Sequence, residues 1–294
     1  MEELVSPRND LVFKQIFGNE KNTEVLAAFL DQVLELPEGD LESVTLGNTH
    51  LWGDTWYGKQ AVLDVLLTTV SGRMIDVEIQ VRVMPNLRER LTFYNARMLS
   101  SQPVRGDDYS VLRQAVAIMI CGENICASEA YHYHFELYDE RERESWSDLL
   151  QIHILELCKL PAEPDGTGLW EWVKFLNVST YEELEMAEKL DPMIGEAATV
   201  VRHFNEDEEA RIQAMMHEKW VRDQTTWRNH ARREGLAEGR AEGLAEGRAA
   251  GNREAMERVA LSALASGFEI AQIAALTGLS NDEIRALRDE QQSD

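Results

Sequence analysis

The chain lacks the features that place a protein in a membrane or mark it for secretion. Its 294 residues contain no apolar run near the roughly 18 residues of a membrane-spanning helix, and the N-terminus shows no signal peptide. There are three cysteines, Cys121, Cys126 and Cys158, without the CxxC spacing of a zinc site. We therefore expect a cytoplasmic protein with no membrane partner, whose cysteines are small buried residues in a reducing compartment.

The signatures of several large enzyme classes are also missing, since the sequence has no GxSxG, no Walker loop and no dinucleotide fingerprint. Basic residues are scarce, with 29 Lys and Arg against 53 Asp and Glu and a net charge of −24. This acidity argues against a nucleic-acid partner, because phosphates are bound by cations. Residues 82–113 are an exception, with six arginines against three acids. DNA binding by such a local patch is expected to be modest and strongly salt-sensitive.

Residues 60–81 are the most informative stretch, and they predict a β-hairpin that turns at Ser71-Gly72. In its second strand, polar residues alternate with β-branched ones, which puts three polar side chains on one face. These are Asp76, Glu78 and Gln80. Asp64 lies on the first strand. Its carboxylate and the side chains of Glu78 and Gln80 on the second strand can therefore converge on a single divalent cation. Because Mg²⁺ takes one or two protein carboxylates, Asp64 and Glu78 are the predicted metal ligands.

This hairpin resembles the core of the PD-(D/E)xK nuclease superfamily. The residues that carry the resemblance are LDV, a Gly-containing turn and VEIQ. The chain is most similar to the Rpn family of recombination-promoting nucleases, also called PD-(D/E)xK family transposases. NDLVFKQIFG (9–18) resembles that family's first helix, and RERLTFYNARMLSSQ (88–102) the helix after its second catalytic strand. Its later strands are resembled by HYHFELYDE (132–140) and LLQIHILELCKLP (149–161). The Glu-Gly repeats near the C-terminus also resemble this family.

The resemblance implies an α/β, restriction-endonuclease-like mixed-sheet core followed by an all-helical C-terminal region. It implies Mg²⁺-dependent hydrolysis of double-stranded DNA with little sequence preference, with Mn²⁺ as an alternative ion, and a link to recombination or mobile elements. Asp64 and Glu78 would hold the metal. Gln80 stands where the superfamily usually has a lysine and would position the attacking water by hydrogen bonds, so the metal must supply more of the stabilisation.

Further site residues are predicted around this pair. Asp10 matches the family's N-terminal acid and would approach the metal, although a role as helix N-cap is an equal alternative. Lys59 and Arg82 are spare cations that could replace the missing lysine. The candidates for contact with DNA are Arg82, Arg90, Tyr94 and Arg97. The three on the helix, Arg90, Tyr94 and Arg97, could instead buttress the catalytic carboxylates, and an ordinary solvated surface is the further alternative. Asp76 is interpreted as mainly structural, and His132 and His134 as sheet packing, because no third metal ligand is identified.

The other helices and strands of the chain are predicted from the spacing of apolar residues and from the glycines and prolines that interrupt regular structure. A helix is predicted over residues 6–36, with a break near Gly18-Asn19, then a strand over 42–52, a helix over 86–101 and further strands to about residue 160. After the linker 161–168 everything is predicted helical. The predicted domains are a nuclease-like domain over 1–160, a helical region over 162–252 and a small module over 253–294.

Two features of the helical region suggest partners. Glycines recur every four residues from 235 to 251 and form a smooth stripe on a helix, which favours either self-association into a homodimer or a flexible linker. Residues 266–290 resemble a helix-turn-helix. Its second helix carries Asn281, Arg285 and Arg288 beside four acids, so a DNA reader and a protein-binding cap both remain open.

The sequence therefore predicts a metal-dependent DNA endonuclease. The alternative from another class is a catalytically decayed nuclease fold that acts as a protein-interaction or regulatory module. The net acidity and the missing lysine favour that alternative, and the intact pair of Asp64 and Glu78 opposes it. A transcription regulator that uses residues 266–290 is a third hypothesis.

Overall fold

A computed structural model of the chain describes residues 4–47, 50–51, 61–82, 86–102, 106 and 108–291. Lys59 and the start of the predicted hairpin lie outside these residues. Across the described ranges, no helix has the length and apolar character needed to cross a membrane. The chain divides into two compact units, Met1–Lys219 and Trp220–Asp294.

The first unit is built on a six-stranded mixed sheet. Its strands are β1 (Thr45–Leu46), β4 (Val65–Thr68), β5 (Met74–Gln80), β6 (Ala115–Cys121), β7 (His132–Tyr138) and β8 (Ser145–Glu156), while β2 (His50–Leu51) pairs with β3 (Ala61–Val62). The helices are α1 (Asp10–Phe17), α2 (Thr23–Val33), α3 (Leu87–Ser100), α4 (Gly168–Leu176), α5 (Tyr181–Ala187) and α6 (Pro192–Glu206). The strand order is β1-β4-β5-β6-β8-β7, with β5, β6 and β8 parallel and the other pairs antiparallel.

The two faces of the sheet are covered by different helices. Alternate residues of β5, such as Ile75 and Val77, belong to the larger core together with residues of α1, α2 and α4. In that core the ring centroids of Phe17 and Phe29 lie 6.1 and 5.6 Å from that of Trp172. On the opposite face, α3 packs Leu91 and other apolar residues against β6. Because both faces of β5 are covered, its polar side chains lie under α3 rather than in solvent.

Helices α4 to α6 pack on the same core as α1 and α2, through buried residues from Trp172 to Val201. Asn205 of α6 also bonds the backbone of Val5, as its Oδ1 accepts from the Val5 N–H at 2.8 Å. These contacts tie the helices that follow residue 161 to the N-terminal part of the chain. The predicted domain boundaries at 160 and 252 stay a prediction.

The second unit is helical. Helix α7 (Glu208–Ala265) begins in the first unit, and its part in the second unit contains the whole glycine repeat. Helices α8 (Ile270–Thr277) and α9 (Asn281–Gln291) follow it. Ala260, Ile273 and Ile284 form the fully buried centre of this unit. Gly278 ends α8 with a φ of 72°, a left-handed conformation that glycine adopts at low cost. This arrangement of α8, a glycine turn and α9 agrees with the predicted helix-turn-helix.

Most of the predicted elements are confirmed, and two expectations are wrong. The helix expected over 6–36 is broken after Phe17, and Gly72 makes the hairpin turn with a φ of 86°. The single strand expected over 42–52 is wrong, since β1 pairs with β4 whereas β2 pairs with β3. The cysteines are free, but Cys158 is exposed rather than buried.

Candidate functional site

The hairpin brings Asp64 next to Glu78, as the sequence predicts. Asp64 immediately precedes β4, whose first residue, Val65, pairs with Val77. The Asp64 Oδ2 accepts a hydrogen bond from the backbone N–H of Ile79 at 3.3 Å. This bond fixes the carboxylate of Asp64 against the end of β5, beside the carboxylate of Glu78.

Glu78 is buried beneath α3 and is held there by Arg90. Its side chain is 4% exposed, and its Oε2 lies 3.2 Å from the Arg90 Nη2. Burial and then the charge of Asp64 raise the pKa of Glu78 to about 7, although Arg90 and Lys14 act in the opposite direction. Burial is the largest of these causes, so Glu78 takes up a proton more readily than an exposed glutamate does.

Asp76 is a second buried carboxyl group on the same strand as Glu78. It is completely buried, and neither of its carboxylate oxygens has a hydrogen-bond partner. Burial, followed by the charges of Glu78 and Asp64, raises the pKa of Asp76 well above its ordinary value. A buried carboxylate without a partner is costly, and protonation of Asp76 lowers that cost. The interpretation of Asp76 as mainly structural stays a prediction.

Gln80 and Arg90 form a second contact under α3. With the carboxamide oriented to satisfy both groups, the Gln80 oxygen accepts from the Arg90 Nη1 at 3.1 Å and also from Nη2. One guanidinium therefore holds the side chains of both Glu78 and Gln80. The amide nitrogen of Gln80, a donor, is then the group left to interact with water or substrate.

The N-terminal helix also reaches the site. Lys14 on α1 lies 3.0 Å from the Asp64 Oδ1, and its Nζ is also 3.0 Å from the Asp10 Oδ1. Burial would lower the pKa of Lys14, but the charges of Asp64 and Asp10 and their hydrogen bonds raise it. The N-cap of α1 is Asn9, whose side chain accepts from the Leu11 N–H, so the alternative role of Asp10 as N-cap is wrong.

The predicted DNA-contact residues occupy different surroundings. Arg82 is exposed just beyond β5, and Arg97 is half-buried on α3. The guanidinium of Arg90 lies 5.7 Å from the ring centre of Tyr94. Arg90 is thus committed to its neighbours inside the site, whereas Arg82 faces solvent.

Three histidines form a separate cluster on β7 and β8. The His132 Nε2 and the His153 Nδ1 are 3.0 Å apart, and the rings of His134 and His153 stack with centroids 4.3 Å apart. The sequence missed His153, the third member. Burial and then the charges of His134 and His132 lower the pKa of His153 to about 3. The stacked rings agree with sheet packing for His132 and His134.

Comparison with known proteins adds to this geometry. The profile described as PD-(D/E)XK nuclease family transposase matches residues 7–231, which is more than half of the chain. The chain belongs to this family. Residues 253–289 also match the Rpn/YhgA-like nuclease family, C-terminal HTH domain. The searches of curated proteins and of solved structures each found no match.

Membership in the family confirms the predicted resemblance and the predicted fold class, a mixed-sheet PD-(D/E)XK core with a helical C-terminal region. The second match agrees with a helix-turn-helix in this part of the chain, and the bounds 253–294 stay a prediction. The chain is therefore a member of a nuclease family related to mobile elements. Nucleases of this kind generally use a divalent metal ion.

The residues at the end of β5 fit such an ion. Within the described part of the chain, no group of three or more His, Cys, Asp or Glu side chains could hold a metal ion. Mg²⁺ does not need such a group, since it keeps several waters and binds through one or two carboxylates. Glu78 is buried beside Asp64, and both oxygens of the buried Asp76 on the same strand lack a hydrogen-bond partner. An added cation would stabilise the ionised form of these carboxylates.

Sequence reasoning missed two aspects of the site, namely Lys14 and the full burial of Asp76, whereas the contact of Arg90 with Glu78 agrees with the predicted role of Arg90 as a buttress of the catalytic carboxylates. A signal for Lys14 was present, because Asp10 and Lys14 are four residues apart on a predicted helix and so form an i,i+4 ion pair. Nothing local pointed to the contact with Asp64, which joins residues 50 positions apart.

Proposed function

We propose that the chain is a DNA endonuclease that uses a divalent metal ion, with Asp64 and Glu78 as the protein ligands of Mg²⁺ or Mn²⁺. The observation that carries the proposal is the fixed approach of Asp64 to the end of β5, where its Oδ2 accepts from the Ile79 N–H at 3.3 Å beside the buried Glu78. Two hard oxygen ligands on adjacent rigid strands suit such an ion.

The residues of the site would divide the work of phosphodiester hydrolysis. When bound, a divalent ion would lower the pKa of a water molecule that it holds, and its positive charge would stabilise the phosphate. The Ile79 N–H orients Asp64, and Arg90 orients Glu78 from α3. Gln80, with its oxygen on Arg90, would direct its amide N–H groups to the attacking water or to a phosphate oxygen.

Double-stranded DNA is the proposed substrate, cleaved with little sequence preference. Arg82, at the exposed end of β5, and Arg97 on α3 are proposed to contact the phosphate backbone, with Tyr94 beside them. The helix-turn-helix at 253–289 is a second candidate for DNA contact. Because the chain carries a net charge of −24, its affinity for DNA should be modest. Because binding would rest on contacts between arginines and phosphates, it should weaken steeply as salt is added.

A homodimer through the C-terminal helical region would provide the two active sites that cutting both strands requires. Helix α7 supports this proposal with large exposed apolar side chains along its length, including Trp220, Trp227, Leu236 and Leu244. At Gly239 and Gly243 a Cβ atom would meet no atom within 4 Å, which leaves an open, smooth surface for a second helix. The reaction is proposed to take place in the cytoplasm and to serve recombination or mobile elements.

One observation favours the second candidate, a decayed nuclease that serves as an interaction module. Gln80 replaces the usual lysine, and its oxygen is bound to Arg90. The two candidates differ in whether the folded protein cleaves DNA.

The test is conversion of supercoiled plasmid by the purified chain in Mg²⁺ or Mn²⁺ at low salt. An Asp64→Asn variant removes one charge at nearly constant shape, and Asp31→Asn, at an exposed position on α2, is the matched control. The proposal expects nicked and linear plasmid from the wild type and the control, and at least about 100-fold slower conversion by Asp64→Asn. EDTA should stop the reaction. A folded wild type that leaves the plasmid intact in both metals would favour the interaction module.

A further inference from the structure

We propose that Lys14 supplies, from helix α1, the positive charge that the superfamily usually takes from the lysine at the position of Gln80, and that Asp10 is its positioning residue. This inference rests on the proposed nuclease function, whose site it completes. It gives Lys14 and Asp10, which are not metal ligands in the proposed function, a role in the reaction.

The geometry around Lys14 places its ammonium directly on the proposed metal ligand. The Nζ lies 3.0 Å from the Asp64 Oδ1, while the Asp64 Oδ2 faces the Ile79 N–H. The side chain of Lys14 is 40% exposed, so solvent and a substrate have access to the residue. A cation that touches the metal-binding carboxylate and is also open to solvent can reach a phosphate oxygen held at the metal.

Asp10 fixes the ammonium in this position. Its two carboxylate oxygens lie 3.0 and 3.2 Å from the Lys14 Nζ, one turn earlier on the same helix. The opposite face of α1 is anchored, because Val12, Phe13, Ile16 and Phe17 are completely buried in the larger core. The core therefore fixes the helix, and the helix carries Lys14 to Asp64.

Two other cations of the hairpin and α3 are already occupied, and Arg82 is exposed just beyond β5. The guanidinium of Arg90 is shared between Glu78 and Gln80. Arg73 pairs with Asp40 and Gln114 at the far end of the hairpin. Among the described residues, Lys14 is the cation that the structure places on Asp64.

The inference predicts that catalysis and metal binding respond differently to loss of the ammonium. The positive charge of Lys14 beside Asp64 repels a divalent ion, so its removal should leave metal affinity unchanged or raise it. The same removal takes away charge stabilisation of the phosphate. A purely structural role predicts the reverse for the metal, since a displaced Asp64 would bind it more weakly.

The experiment compares Lys14→Ala, Lys14→Arg and the control Lys21→Ala, which removes a neighbouring exposed lysine. Plasmid cleavage is measured in Mn²⁺, and Mn²⁺ affinity is measured separately by calorimetric titration without DNA. We expect Lys14→Ala to cleave at least about 100-fold more slowly than the wild type, with Mn²⁺ affinity equal or tighter. Lys14→Arg, which keeps the charge, should recover most of the rate, and Lys21→Ala should behave as the wild type.

Three results would overturn the inference. Cleavage by Lys14→Ala within about threefold of the wild type would show that the ammonium is dispensable, while the nuclease proposal stands. A parallel loss of cleavage and Mn²⁺ affinity would show that Lys14 only supports Asp64. If the wild type does not cleave in either metal, the proposed function fails and this inference fails with it.

Discussion

Replacing His153 with phenylalanine should remove a pH-dependent loss of stability from the folded chain. His153 is 4% exposed and stacks on His134, and its pKa is lowered to about 3, first by burial and then by the neighbouring histidines. In the unfolded chain a histidine has a pKa of about 6.5. Phenylalanine keeps an aromatic ring in the stack and cannot take up a proton.

The sign of the effect follows from the two pKa values. A folded-state pKa below the unfolded one means that the unfolded chain binds the proton first, so stability is lost as pH falls from about 6.5 towards 3. Between about pH 8 and pH 5 the linkage relation gives a loss of about 2 kcal/mol from this one residue. Glu78 and Asp76, whose pKa values are raised, act in the opposite sense, but they do so equally in both proteins.

The assay is urea unfolding followed by tryptophan fluorescence at the two pH values, for wild type and variant. The difference in unfolding free energy between them should shift by about 2 kcal/mol in favour of His153→Phe at the lower pH. His203→Gln, at an exposed position near the end of α6, is the control and should follow the wild type. A difference that stays the same at both pH values would refute the argument from burial of His153.

Two further substitutions probe the site and the core. Arg90→Ala should slow plasmid cleavage by about 10- to 100-fold without unfolding the chain, because Glu78 loses the side chain that holds it. Trp172→Ala should lower the unfolding free energy by about 3–5 kcal/mol, since this large ring is 2% exposed and packs against the rings of Phe17 and Phe29.

Each of these substitutions has a matched control in the chain. Arg88→Ala removes an exposed arginine of the same helix that bonds the Ile125 carbonyl, and cleavage should be nearly unchanged. Trp146→Ala removes a ring that is 86% exposed, and its effect should stay within about 0.5 kcal/mol. Equal losses in Arg90→Ala and Arg88→Ala would contradict the clamp, and equal losses in the two tryptophan variants would contradict the assignment of the core.

The hairpin and its acids were predictable because their signals are local. Alternation in the second strand identifies the face that carries Glu78 and Gln80, and Ser71-Gly72 identifies the turn. Once the turn is fixed, antiparallel pairing brings Asp64 to Glu78 without further information. The glycine repeat and the helix-turn-helix were recognisable for the same reason.

The exact contacts that complete the site were not predictable, since they join distant segments, although Arg90 was among the residues expected to buttress the catalytic carboxylates. Lys14 reaches Asp64 only because α1 is anchored in the core, and Arg90 reaches Glu78 only because α3 covers that face of the sheet. His153 joins His132 and His134 through the pairing of β7 with β8. The error over residues 42–52 has the same origin, because composition does not show which partner a short strand will choose.

The most direct test of the account is binding of Mn²⁺ to the folded chain, measured by calorimetry without DNA for the wild type, Asp64→Asn and Glu78→Gln. The account predicts that the wild type binds the ion and that each variant binds it at least about tenfold more weakly, with Asp31→Asn unchanged. Equal binding by the wild type and both variants would contradict the assignment of Asp64 and Glu78 as the metal ligands.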